Sequence, residues 1–397
     1  MEIVTISTLY PNKNDPKHGV FVHTRLKQLL RAYPEISATV IAPVPWFPFS
    51  WKKFGEYAKY AGVPYSETID GITIFHPKYV VLPKVGMYIT PFFLSKAIKK
   101  TLQKLLKRKN VDLIDGHYFF PDGVAIESVA SRFNIPFTCT ARGTDINLVP
   151  TYPKARKMLH SVFANSSHMM SVCQALKDEM MTLGVEDSRV TVVRNGVDLS
   201  LFSASDDDTQ KTLKSSLGLD TPHLIISVGW LIERKGHHLI IESLKKLNDV
   251  TLAIAGDGPD LKKLQLLAKE SGVSERVKFL GALSQSSLNE WFRSADLSVL
   301  ASSREGWANV LLESMASGTP VVATKVWGTP EVVKTKSAGI LVDRSSDAIA
   351  KGVRQLLEEK PSRVQTRKYA EQFSWSERCD SLYRIFLSIV ENKESPS

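Results

Sequence analysis

The chain has 397 residues, more than the roughly 250–300 that one hydrophobic core usually supports, so two domains are expected. Hydrophobic residues make up 43% and charged residues 23%, ordinary for a globular protein, and no stretch approaches the ~18 uncharged apolar residues of a membrane span. The formal charge of +10 is unevenly held: residues 1–200 carry 25 Lys/Arg against 16 Asp/Glu while the rest is near balance, so an anionic partner is expected for the first half only.

The N-terminus, MEIVTISTLY, reads as a first strand and lacks the basic start and small-residue cleavage site of a signal peptide. Short apolar runs at 3–8, 38–43, 71–76, 112–117, 135–140, 161–166 and 189–195 read as strands. FVHTRLKQLLRAY, SKAIKKTLQKLLKR, GVAIESVASRF and SVCQALKDEMMTLG space their apolar residues by three and four, as helices do. This alternation implies βαβ units and a parallel sheet. Cys139, Cys173 and Cys379 are widely spaced and odd in number, which gives neither a disulfide framework nor a zinc pattern. A cytosolic protein with reduced thiols is expected.

Residues 84–109 hold eight basic side chains and no acid. From 92 onward they pattern as a helix with Phe93, Leu94, Ala97, Ile98, Leu102, Leu105 and Leu106 mainly on one side and lysines on the other. Two readings stand. The segment is a basic amphipathic helix that lies on an anionic membrane, or a domain helix whose apolar side packs on the sheet. The aromatic-rich PVPWFPFSWKKFGEY (43–57) adds to the first reading.

DLSLFSASDDDTQ (198–210) is polar, acidic and small, as a linker should be. Strand-like runs restart at 223–230, 250–258, 276–282, 297–303, 320–326 and 339–343, with helices between. The expected domains are 1–203 and 204–376, followed by an amphipathic helix over 377–397.

The chemistry concentrates in the second half. SVGWLIERKG delivers Arg234 and Lys235 to the carboxyl edge of a strand, where two adjacent cations suit a diphosphate. A solvated surface pair is the even alternative. In AIAGDGPDLKKL, Gly256 and Gly258 allow a tight turn into a helix that Asp260 can cap, a structural βα turn. EGWANVLLE places Glu305 before a turn and Glu313 inside the helix that follows, with Asn309 expected as its cap and Gly306 to Asn309 as a loop of outward amides. Carboxylates only accept, so these two call for ligand hydroxyls or the Arg234/Lys235 pair. Two hydroxyl-bearing rings joined by a diphosphate, the outline of a nucleotide sugar, satisfy all of these groups. No Walker A or GxGxxG sequence is present.

At these residues the chain resembles the retaining GT-B glycosyltransferases of family 4, group 1. VGWLIERKG, IAGDGP, FLG, ADLSVLASSREGWANVLLESMASGTPVVAT and GILV carry the resemblance in the second half, and VFANSSHMMSVCQALKDEMMTLGVEDSRVTVVRNGVDLSLF in the first. It implies an α/β GT-B fold, with two Rossmann-like doubly wound domains facing across a cleft. The first domain would bind the acceptor, the second the nucleotide sugar, and the C-terminal helix would pack back on the first.

The resemblance also assigns roles. Glu305 would contact hydroxyls of the donor sugar and Glu313 those of the ribose. Amides of Trp307, Ala308, Asn309 and Val310 would bind sugar or phosphate oxygens, with Gly258 and Gly306 completing the donor side. Arg234 and Lys235 would neutralise the departing diphosphate. Gly19 of HGVF stands in the glycine-rich loop after the first strand, where His18 replaces the usual first glycine. His117 would lie near the transferred sugar, and Arg142 and Asp145 on the acceptor side. The implied catalytic set is His117, Glu305, Arg234 and Lys235. No metal and no cofactor are implied beyond the donor substrate, with UDP favoured over GDP. Asp206-Asp207-Asp208 superficially matches a metal-binding DxD but reads as solvated acid. The implied reaction moves a sugar, with retention, to a hydroxyl of a lipid-linked or cell-surface polysaccharide intermediate. The implied location is the cytoplasm, at the inner membrane face where the basic segment engages it, with no nucleic acid partner. A same-fold sugar-nucleotide epimerase or hydrolase is one alternative, and a polyanion-binding module, suggested by a pI near 9.3, is another.

Overall fold

The computed structural model describes residues 1–47, 58–82 and 86–394. The chain forms two compact units: Met1–Arg194 together with the segment from Ser376 onward, and Asn195–Trp375.

The sheet of the first unit runs in the order Val190–Val192, His168–Ser171, Phe137–Ala141, Leu113–His117, Glu2–Ile6, Ser37–Ile41, Ile72–Phe75, Ser66–Ile69. Only Ser66–Ile69 at one edge is antiparallel. Ile3 pairs with both Ala38 and Leu113. Strands covered on both faces are apolar without alternation, and Ile3, Val4, Ile6, Leu113 and Ile114 are fully buried. Successive connections reverse direction between Glu2–Ile6 and Leu113–His117. Such a switch point opens a crevice beyond the carboxyl ends of the strands.

Residues 161–166, expected as a strand, complete the helix Pro153–Asn165, and the strand follows at His168–Ser171. Leu159, Val162 and Phe163 are buried at helical spacing, and Ser166 N–H still reaches Val162 O at 3.0 Å. The helix Thr90–Leu106 buries Leu94, Ile98, Leu102 and Leu105 within the unit. Packing of the apolar side inside the unit is what the domain-helix reading expects. Of the aromatic-rich stretch 43–57, residues 48–57 lie outside the described residues, as does Lys84 of the basic segment. The helix Ser376–Glu394 returns to this unit. Tyr383 stacks on Tyr33 at 3.9 Å, Tyr33 Oη donates to Asp380 at 2.7 Å, and Leu382 and Phe386 are buried.

The second unit has six parallel strands in the order Val277–Gly281, Val250–Ala255, His223–Val228, Leu297–Leu300, Val321–Thr324, Gly339–Val342. Its switch point lies between His223–Val228 and Leu297–Leu300. The unit begins at Asn195, earlier than the expected 204. Val197 N–H donates to Phe373 O at 2.9 Å, and the Arg367 guanidinium donates to the carbonyls of Leu199 and Phe202. These bonds tie the start of the expected linker to the second unit. Asp206 then caps the helix Asp207–Ser216, its Oδ1 accepting from Thr209 N–H at 2.8 Å, with Asp207 and Asp208 in the first turn. Acids there complement unpaired N–H groups and the positive end of the helix dipole.

Candidate active site

The loops that leave the two central strands of the second unit bring its sequence motifs together. The first, Gly229–Gly236, carries a turn of 3-10 helix, Glu233–Lys235. The second runs from Ala301 to Ala308. Ser303 N–H donates to Arg234 O at 2.8 Å, which zips one loop to the other. Gly236 has φ 73°, and a Cβ there would lie 2.0 Å from Ala301 O, so only glycine fits. Gly258 serves a third loop in the same way, its backbone pressed against Leu231. That contact gives Gly258 a structural duty whatever else it meets. Asp260 stands at the start of the helix Leu261–Glu270 but makes no side-chain capping bond, contrary to expectation.

Glu305 is buried, 8% exposed, and its Oε1 accepts from Lys235 Nζ and Ser302 Oγ, both at 2.6 Å. Arg234 Nη1 is 3.9 Å from the same oxygen and donates to Arg304 O at 2.7 Å. Burial alone would raise the Glu305 carboxyl, but Lys235 and the hydrogen bonds from Lys235 and Ser302 outweigh it and hold the group below its usual range. Glu305 is thus an ionised acceptor. Lys235 keeps two further N–H groups with no protein partner among the described residues.

Glu313 is half-buried on the helix Asn309–Ala316, and no group among the described residues pairs with its carboxylate. Burial pushes it up to about 7. Ala308, not Asn309, holds the capping position, with no side-chain cap. Asn309 N–H turns back to Trp307 O at 3.0 Å, and its Oδ1 accepts from Asn195 Nδ2 at 3.1 Å. The expected row of outward amides is therefore shorter by Asn309. The N–H groups of Gly306 and Ala308 have no protein partner among the described residues. Trp307 is buried against Phe373, centroid to centroid 6.1 Å, so its ring is part of the wall rather than a free surface.

In the first unit, His117 ends the central strand Leu113–His117 and is 1% exposed. Asp115, two residues back, shares its face of the strand. His117 Nε2–H donates to Asp115 Oδ2 at 3.0 Å, and Nδ1 accepts from Arg142 Nη2 at 2.6 Å. Burial lowers His117 to about 4, against the pull of Asp115, so the ring is neutral at pH 7. Both ring nitrogens are taken, and a hydrogen bond from His117 to a sugar would require Arg142 or Asp115 to let go. Arg142 also lies over the Phe21 ring at 5.2 Å. Asp145 is fully buried, and its carboxylate accepts from Phe119 N–H at 2.9 Å, Arg142 N–H at 3.1 Å and Gly143 N–H at 2.7 Å. This corrects its expected contact with an acceptor hydroxyl: its oxygens hold backbone.

Gly19 starts the helix Val20–Ala32 at φ 62°, and a Cβ there would meet the Leu9 carbonyl carbon at 2.1 Å. The crevice at this switch point holds a residue the sequence reading missed. Asp122 is 1% exposed and accepts from Thr8 N–H at 2.6 Å and Thr8 Oγ1 at 2.9 Å, joining the loops after the two central strands. Burial pushes it up to about 7. Ser302 and Asp115 were also missed. Asp115 carried a usable signal, its two-residue spacing from His117. Asp122 and Ser302 carried none.

Known families supply the remaining observation. The family model for "Glycosyl transferases group 1" matches residues 209–373, and that for "Glycosyltransferase Family 4" matches residues 57–201. The chain belongs to glycosyltransferase family 4, group 1. This glycosyltransferase is 28% identical over 389 residues to TuaC of Bacillus subtilis (strain 168), a glycosyltransferase provisionally assigned to teichuronic acid biosynthesis, across 96% of this chain and 93% of TuaC. It is 27% identical over 277 residues to the N-acetyl-alpha-D-glucosaminyl L-malate synthase of Bacillus anthracis, across 68% of this chain and 70% of that one. Among solved structures it resembles the sucrose-phosphate synthase of Thermosynechococcus elongatus, with a TM-score of 0.80, 16% identity and coverage of 99% and 100%. It also resembles Anabaena Alr3699/HepE in complex with UDP-glucose, with a TM-score of 0.72, 20% identity and full coverage of both chains. The glycosyltransferase thus has the GT-B fold, built of two α/β domains with parallel sheets.

Proposed function

We propose that this enzyme takes its sugar from a nucleotide-diphosphate sugar, with UDP as the nucleotide, and passes it with retention to a hydroxyl of a lipid-linked or cell-surface glycan intermediate. The observation that carries the reading is the pair of carboxylates at the second unit's switch point. Glu305 is ionised and fixed by Lys235 and Ser302, while Glu313 is half-buried with no protein partner among the described residues. Ribose hydroxyls donating to Glu313 would supply what the protein does not. The donor sugar would meet Glu305, and the diphosphate would lie on the spare N–H groups of Lys235, the Arg234 guanidinium and the amides of Gly306 and Ala308. UDP is supported by the neighbour Alr3699/HepE, solved with UDP and UDP-glucose. TuaC, with its provisional assignment to teichuronic acid biosynthesis, supports a polysaccharide acceptor.

In the proposed reaction the acceptor oxygen bonds to the anomeric carbon on the face from which the diphosphate leaves. The anomeric C–O bond breaks, and the nucleoside diphosphate departs with its electrons. A phosphate oxygen takes the acceptor's proton. The protein contributes orientation and pre-set charge, with Lys235 and Arg234 standing where other transferases place a metal. Neutral His117 orients groups in the first unit rather than moving a proton.

A thermal-shift panel of UDP-, GDP- and ADP-sugars tests the donor. UDP-sugars should raise the melting temperature with concentration, as ligand linkage requires, and more than the others do. A panel in which no nucleotide sugar shifts the melt rejects the reading. Turnover should persist in EDTA, and the product's anomeric proton coupling should match that of the donor.

A further inference from the structure

The loop that follows the first unit's central strand Glu2–Ile6 runs from Ser7 to Gly19 and turns back on its own start. Asn12 Oδ1 accepts from Asn14 N–H at 3.0 Å and Asp15 N–H at 3.1 Å, and His18 N–H donates to Asp15 O at 3.2 Å. Tyr10 is buried, its Oη 2.8 Å from His23 Nδ1, and His23 Nε2 lies 2.9 Å from the Asp70 carboxylate. Thr8 ties the two ends of the loop together. Its N–H and Oγ1 are held by Asp122, and its carbonyl oxygen lies 3.0 Å from His18 Nε2. Gly19 then packs against Leu9 with no room for a Cβ.

A carbonyl oxygen only accepts, so His18 Nε2 carries the hydrogen of that bond. In the neutral ring Nδ1 is then a lone-pair acceptor, and among the described residues nothing donates to it. The ring is half-buried and lies beyond the carboxyl end of the strand, where the crevice of this sheet opens. A clip between two parts of a loop needs one nitrogen, and an amide or ammonium side chain would serve as well. The second nitrogen is what imidazole adds, and the glycine usual at this place in the family offers neither. A sugar hydroxyl, with one hydrogen to donate, suits an acceptor-only nitrogen. We propose that His18 Nδ1 accepts a hydrogen bond from a hydroxyl of the glycan acceptor, and that Asp122, through Thr8, is the positioning residue that holds the ring for it. The inference rests on the reading that a glycan hydroxyl receives the sugar, and it assigns neither residue a proton transfer.

Nitrogen-resolved NMR and kinetics test it together. At pH 8 the His18 ring should be a single Nε2–H tautomer. In Asp122→Asn, whose amide offers Thr8 one accepting oxygen in place of two, both tautomers should appear. Turnover is read as UDP released from UDP-glucose, with methyl glucosides and methyl N-acetylglucosaminides as the hydroxyl compounds. His18→Gly should lower kcat/KM for the glycoside about tenfold, the worth of one hydrogen bond, with KM for the glycoside rising more than KM for UDP-glucose. His18→Gln should restore most of the loss, since its amide can donate to Thr8 and still present an oxygen. Free imidazole should partly rescue the glycine variant. Asp122→Asn alone should cost severalfold, and nothing further in the His18→Gly background, as expected of two residues that act through one contact. Melting temperatures show whether the variants fold, and Thr8→Val replaces Asp122→Asn if that variant does not. Both tautomers in the parent ring, a His18→Gly enzyme with the parent's KM for the glycoside, or additive losses in the double variant overturns the inference. Absence of any turnover by the parent rejects the donor reading instead, and the tautomer spectrum then decides this inference alone.

Discussion

Glu305 and Glu313 share one short motif and live in opposite electrostatic states. Glu305 is held ionised by Lys235 and Ser302, so removing either end of that contact should be costly. Glu305→Ala and Lys235→Ala are each expected to lower kcat/KM on the order of a hundredfold, as lost preset electrostatic contacts do. Near-normal turnover in either would reject its proposed role. Glu313 is the reverse case. Its carboxyl is raised to about 7 in the folded protein and titrates near 4.5 when unfolded, so the folded state binds the extra proton between those values. The stability of the protonated form is present below about 4.5 and lost as pH rises through about 7. Without ligand, Glu313→Gln should therefore gain stability over the parent as pH rises. The gain should be near zero at pH 4.5 and on the order of 2 kcal/mol at pH 8, as read by urea titration at each pH. A gain independent of pH would show that the carboxylate is not the cause. His117 gives a third test. Its ring should remain neutral, protonated at Nε2, down to about pH 5 in nitrogen-resolved NMR.

At the scale of elements, the loops of the second unit are locked by glycines whose missing side chains let backbones touch. Gly236 combines φ 73° with backbone 2.0 Å from where a Cβ would sit, whereas Gly272, at φ 67°, faces open space. Gly272→Ala should cost only the left-handed penalty of about 1–2 kcal/mol. Gly236→Ala must also displace the Ala301 carbonyl, so it should cost clearly more and lower donor affinity through the misplaced Lys235. Equal denaturation midpoints would contradict this. Much of this layer was legible in the sequence. Strands buried on both faces announce themselves as apolar runs, and the glycines and cations at their carboxyl ends mark the loops. Residues 161–166 misled because a buried helix end and a short strand share the same apolar look. Asn309 misled because a capping residue type can spend its side chain elsewhere, here on Asn195. Asp145 was legible as a residue, but its backbone N–H partners are spelled by no sequence, and Asp122 stayed hidden because its partners, the N–H and hydroxyl of Thr8, lie 114 positions away. Arg142 was legible as a residue, but not its grip on His117 across 25 positions of chain.

At the scale of the whole molecule, the chain leaves its first unit at Arg194 and re-enters it at Ser376. The returning helix buries Cys379, Leu382 and Phe386 and stacks Tyr383 on Tyr33. A chain ending at Trp375 should therefore lose hydrogen-exchange protection in the helix Val20–Ala32 and spare the strands of the second unit. Loss confined to the second unit would contradict the division. The same discontinuity sets an order of events on the ribosome. The second unit is one unbroken segment and has all its parts as soon as Trp375 has emerged. The first unit, although synthesised earlier, must keep the surface that receives Tyr383 and Phe386 exposed until the last helix is made. The half of the protein that begins first is thus the half that finishes last, and its uncovered patch is where a nascent-chain chaperone would find it.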